Sequence, residues 1–86
     1  HNTAVPQEEN EIWTYPIGSH CIGHLIGKDG SNIKRFEKGG IAFFQIIDTG
    51  VLNWRTVLAV GKYNSLRSVA NKVLETVRST DRILHN

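Results

Sequence analysis

The chain has 86 residues, 40% of them hydrophobic, with ten Lys and Arg against eight Asp and Glu for a formal net charge of +2. That length makes one small domain with a single modest core; no apolar run nears the ~18 residues of a membrane span, and no signal-peptide pattern opens the sequence. One cysteine, Cys21, excludes an internal disulfide and fits a reducing cytoplasmic or nuclear setting, and a sequence without methionine reads as one domain of a longer, multidomain protein.

His1 to Asn10 is polar and reads as a flexible leader or linker. Glu8, Glu9 and Glu11 concentrate acid there. From Ile12 onward ten Lys and Arg stand against five Asp and Glu, a net of +5. A basic folded part suits a nucleic-acid partner, although many domains are equally basic. Ile12 to Tyr15 is rich in strand formers and stops at Pro16, which predicts a short first strand. Ser19 then offers an N-cap to a short helix carrying Cys21, Ile22, Leu25 and Ile26.

The loop Gly27 to Gly30 interrupts that helix. A second helix carries Ile33 and Phe36 at i, i+3 and ends at Gly39-Gly40. Ile41 to Ile47 is a dense run of strand formers, Asp48-Thr49-Gly50 a turn, and Trp54 to Val60 a further strand closed by Gly61; the short connection predicts an antiparallel hairpin. Leu66, Val69, Ala70, Val73 and Val77 trace the apolar stripe of a last helix, capped by Asn64 or Ser65, with Lys72 and Arg78 on its solvated side. The folded domain spans 11–79, and 80–86 form a tail or a helix extension. The class is α+β, order β-α-α-β-β-α, with three helices on one face of a three-stranded antiparallel sheet.

Gly27-Lys28-Asp29-Gly30 is the most informative stretch. Glycines on both sides of a tight turn let a polyanionic backbone approach the main chain closely. The helix that follows points free amides at such an anion, and Lys28 adds positive charge. A P-loop reading fails, because the spacing from Gly23 is one residue short and Asp29 stands where Ser or Thr must hold magnesium. His20 and His24 lie at a zinc-compatible i, i+4 spacing, but no third ligand is evident, so the pattern implies no metal and no cofactor. Cys21 among apolar neighbours, with no orienting carboxylate, reads as packing rather than as a nucleophile. Nothing in the pattern argues for an enzyme.

Ile26-Gly27-Lys28-Asp29-Gly30-Ser31-Asn32-Ile33, preceded by an apolar stretch from Ile17, resembles the Ile-Gly-x-x-Gly-x-x-Ile signature of K-homology (KH) domains. Gly23 matches a glycine common in their first helix, Phe44-Gln45-Ile46 their apolar-x-apolar second strand, and Val57 to Gly61 their third. The likeness covers about residues 12–78, in type I order. It implies a module that clamps about four unpaired nucleotides through the loop and lays their bases in a groove. Gly18, Cys21, Gly23, His24, Ile33 and Ile46 would line that groove. Gly27, Asp29 and Gly30 would shape the grip, with Lys28 and Lys34 supplying charge. The implied partner is single-stranded RNA, or single-stranded DNA. Two departures weaken the electrostatics: Asp29 sets a carboxylate beside the phosphate path, and His24 stands where the family often has Arg or Lys. Binding is therefore expected to be weak and to gain from neighbouring domains.

A period-two strand cannot point Phe43, Phe44, Ile46 and Ile47 to one face. With Phe44 and Ile46 toward the helices, Phe43 and Ile47 lie on the open side, where Trp13, Tyr15 or Trp54 could join them. Such a patch suits a protein or KH–KH contact; a cover formed by the leader, or scattered surface hydrophobes, are equal alternatives. The competing reading of the whole chain is thus a degenerate KH domain that works as a protein-interaction or scaffolding module.

Overall fold

The computed structural model describes residues 9–84, so most of the expected leader and the last two residues lie outside the described part. Strand β1 (Glu11–Gly18) leads through a 3-10 turn (Ser19–Cys21) into helix α1 (Ile22–Ile26). The Gly27 to Gly30 loop joins α1 to α2 (Ser31–Lys38), followed by the hairpin β2 (Ile41–Ile47) and β3 (Trp54–Gly61) and the long helix α3 (Tyr63–Leu84). The sheet is antiparallel in the order β1-β3-β2. No helix among the described residues is long and apolar enough to cross a membrane.

Alternation along the strands decides which face is covered. Trp13 and Phe44 both lie opposite Ala59, and Tyr15 and Ile46 both lie opposite Val57. Those rows face the helices, with Val57 and Ala59 wholly buried in the central strand. Leu25 of α1, Phe36 of α2 and Leu66, Val69 and Val73 of α3 close over them. Burying each such aliphatic side chain stabilises the fold by about 1.5–3 kcal/mol. A bulge at Ala42 shifts the register between Ile41 and Phe43, so both Ile41 and Phe44 turn to the core.

Several details depart from the pattern-based reading. Strand β1 runs through Pro16, which pairs with Thr56; β1 is an edge strand, where a missing N–H is tolerated. Ser19 lies inside the 3-10 turn and caps nothing with its side chain; Gly18 holds the cap position. Helix α3 starts at Tyr63, ahead of both expected caps, and Ser65 instead donates to Gly39 O at 2.7 Å. Trp13 and Tyr15 stack with ring centroids 5.6 Å apart and pack on the core, so they do not join Phe43 on the open face, whereas Trp54 stays exposed. Of the two alternatives for 80–86, the described part takes the helix extension, with α3 running through Leu84.

Candidate nucleic-acid interface

The loop between α1 and α2 is built from unusual backbone. Gly27 has φ 79°, ψ 173°, a region open essentially to glycine alone, and Gly30 is left-handed at φ 72°, ψ 24°. Asp29 is left-handed too, at φ 55°, ψ 28°, a conformation Asp tolerates better than most residues. A Cβ on Gly27 would stand 2.7 Å from Ser31 Oγ and 3.0 Å from Asn32 Nδ2; one on Gly30 would meet nothing within 4 Å. Glycine is thus needed at Gly27 for space and conformation, and at Gly30 for conformation.

Three hydrogen-bonded links hold the turn. Gly27 N donates to Gly23 O at 3.1 Å and Gly30 N to Gly27 O at 3.2 Å. Asn32 reaches back from the first turn of α2, donating through Nδ2 to Leu25 O at 3.0 Å and His24 O at 3.3 Å. It satisfies carbonyls at the end of α1 and fixes the angle between the two helices. Sequence reasoning missed Asn32; the one signal was a side-chain amide placed just after a four-residue loop. The first turn of α2 is without a side-chain cap among the described residues, leaving its amides directed past Gly30.

Around this loop Gly23 and His24 are exposed on α1, and an added Cβ at Gly23 would meet nothing within 4 Å. Lys28, Asp29 and Lys34 are exposed, and Ile33 is half-buried one turn before Phe36. The Phe36 and Phe44 rings sit 5.3 Å apart and seat α2 on β2. Ile46, half-buried two residues on from Phe44, continues the same face of β2. Gly18 and Cys21 are different. Cys21 is 1% exposed within the core, and Gly18 is buried with the His20 ring against it. Both positions, expected to line a groove, are enclosed and offer little surface to a ligand.

Lys28 and Lys34 have no ion-pair partner among the described residues, so their charge is open to a ligand. Burial pushes the Cys21 thiol up from its ordinary range; a hydrogen bond with Thr80 opposes this, and the nearby Asp81 carboxylate adds to it. A protonated, enclosed thiol is a poor nucleophile. A cleft of about 480 Å³ between α2 and α3 carries Arg35, Lys72 and Glu75 on its walls, and neither Gly23 nor Lys28 lines it.

No protein-family model matches the chain, and no curated protein matches it by sequence. Among solved structures it is similar to the fourteenth type I KH domain of human vigilin, determined in solution, at 13% identity and a TM-score of 0.60. The match covers 93% of this chain and 88% of that one. At that identity the likeness is one of fold: the chain has the type I KH fold, with its sheet and all three helices in the expected order.

Proposed function

We propose that this domain binds a short single strand of nucleic acid, preferentially RNA, gripping about four nucleotides at the Gly27 to Gly30 loop. The observation that carries the reading is the loop itself. Gly27, Asp29 and Gly30 all hold positive φ, and Asn32 braces the turn ahead of an uncapped helix. Strained backbone kept in an exposed turn, beside lysines without partners, suits an anion better than it suits stability. In this reading backbone amides and Lys28 meet phosphates, and Lys34 adds longer-range attraction. Gly23 leaves room for a base, His24 borders it, and Ile33 and Ile46 form its apolar floor. Asp29 limits affinity by repelling the phosphates. Gly18 and Cys21 support the floor from below. No residue is assigned a catalytic role.

Titration of labelled domain with a randomised single-stranded tetranucleotide pool, at low and physiological salt, tests this. Resonance shifts from Gly23 to Lys34 and at Ile46 are expected, with affinity falling as salt rises by a slope of about −0.7 per phosphate neutralised. Lys28→Asp should abolish them, and retained affinity in that variant would overturn the loop assignment. One observation favours a second reading. Ile12, Phe43 and Trp54 are 71%, 48% and 49% exposed on the open sheet face, with Leu58 and Val60 between them in the pairing. That is a surface a protein or another KH domain could cover. No shifts at either salt would select it.

A further inference from the structure

The fold assembles a second cluster that the local sequence pattern conceals. His20 and Cys21 end the 3-10 turn after β1, while Asp81 lies 61 residues beyond His20 near the end of α3. His20 Nε2 is 3.4 Å from Asp81 Oδ1, and one donor atom from each of His20, Cys21 and Asp81 all lie within 4.8 Å of one another. The i, i+4 pairing of His20 with His24 is therefore not what the fold builds; the missing donors come from Cys21 and from a distant helix.

Imidazole, thiolate and carboxylate together suit a borderline-soft divalent ion. Hard calcium or magnesium would require oxygen ligands alone. Metal–ligand bonds of about 2.0–2.3 Å in a tetrahedron place the donors about 3.3–3.8 Å apart, so closure requires movements on the order of 1 Å. His20 and Asp81 are both half-exposed and free to make that adjustment, while Cys21 sits beneath them as the fixed donor.

Gly18 supplies an independent observation. Its backbone, φ −66° and ψ 139°, is one any residue adopts, so conformation does not demand glycine there. Yet a Cβ would stand 2.5 Å from His20 Cε1 and 2.7 Å from His20 Nδ1. Glycine at this position leaves the space in which the imidazole lies over the end of β1, with Nε2 at Asp81.

We propose that His20 Nε2, Cys21 Sγ and an Asp81 carboxylate oxygen form a site for a zinc-class divalent ion, with water in the fourth position. Binding displaces one proton from the Cys21 thiol to solvent and forms the metal–sulfur bond; no redox step is involved. The ion clips the entry of α1 to the end of α3, and so stiffens the segment that leads into the Gly27 to Gly30 loop. The site stands independently of the nucleic-acid reading.

Cobalt(II) is the probe, added to reduced, chelator-treated domain. A thiolate-to-cobalt charge-transfer band with tetrahedral visible bands, reversed by zinc, is expected, together with a zinc-dependent rise in melting temperature. His20→Gln and Asp81→Asn alter half-exposed side chains and should fold; each should weaken cobalt binding by about tenfold or more. Gly18→Ala keeps all three donors but crowds the His20 ring, and should weaken binding as well. Cys21→Ser should lose the charge-transfer band; since Cys21 is a core residue, His20→Gln and Asp81→Asn keep the test decisive should that variant fail to fold. No charge-transfer band in the unaltered domain, or undiminished binding in His20→Gln and Asp81→Asn, would overturn the site.

Discussion

Gly23 offers a test in which stability and binding move in opposite directions. It lies within α1, where glycine costs about 0.5–1 kcal/mol relative to alanine because its unfolded backbone has more freedom to lose. The space around a new Cβ is open, with nothing within 4 Å, so no clash offsets that gain. Gly23→Ala should therefore stabilise the domain. Taking the lower bound for so short a helix, a gain of about 0.5 kcal/mol corresponds to roughly 3 °C in melting temperature. The same open space is where the proposed function puts a base. Gly23→Leu, also a better helix former, fills it and should forfeit a base contact of about 1–3 kcal/mol, roughly five- to 150-fold in Kd. Thermal melts of the three proteins, followed by titration with the tetranucleotide pool, give both numbers. Raised stability with unchanged affinity in Gly23→Leu would refute the groove, and lowered stability in Gly23→Ala would refute the helix argument.

Gly27→Ala should cost about 2–3 kcal/mol, because it combines forbidden backbone with a Cβ 2.7 Å from Ser31 Oγ, whereas Gly30→Ala should cost only about 1 kcal/mol; urea unfolding that ranks them the other way would contradict the loop geometry. Asn32→Ala removes the bonds to Leu25 O and His24 O, so about 1 kcal/mol of stability should go and amide exchange across Gly27 to Gly30 should accelerate. Leu25→Ala, at a fully buried site, should lose about 2–5 kcal/mol in the same unfolding assay. Burial holds the folded Cys21 thiol pKa above its unfolded value, so the folded state keeps its proton longer. Its contribution is complete below the unfolded pKa and declines as pH rises through the folded one. Stability measured in chelator should show that alkaline decline, and Cys21→Ala should lack it.

Much of this architecture was legible because the apolar periods are clean. Leu66, Val69, Val73 and Val77 fixed the face of α3, and the Gly39-Gly40 stop and the Asp48 to Asn53 connection marked the hairpin ends. What escaped the pattern did so for physical reasons. Pro16 signals a stop only when the strand position is unknown; at an edge its missing donor costs little. The end of α3 was obscured because its buried face turns from aliphatic to threonine. Thr76 and Thr80 bury their methyl groups while their hydroxyls donate to Lys72 O and Thr76 O, each at 2.8 Å. At the candidate site the two loop glycines were plain in the sequence. The brace from Asn32 was hidden, because it depends on where the α1 carbonyls point. Cys21 read both as packing and as groove lining, and its burial fits the first; a short helix with apolar residues on several sides does not declare which one faces inward.

Positive φ occurs at Gly27, Asp29 and Gly30, and recurs outside the loop at Gly40, Gly50 and Asn53. A glycine in a helix at Gly23, glycine-only backbone at Gly27, and left-handed Asp29 and Gly30 fall within eight consecutive residues. Helical Gly23 and left-handed Asp29 each lower local stability by about 0.5–3 kcal/mol, whereas Gly30 is the residue its left-handed position favours. Leu25 on one side of the loop and Phe36 on the other are both buried in the core. Under the proposed function, exposed Gly23 and Asp29, the Lys28 left unpaired among the described residues and the Asn32 brace would serve a ligand at this loop, and the Gly23 and Lys28 variants test that reading.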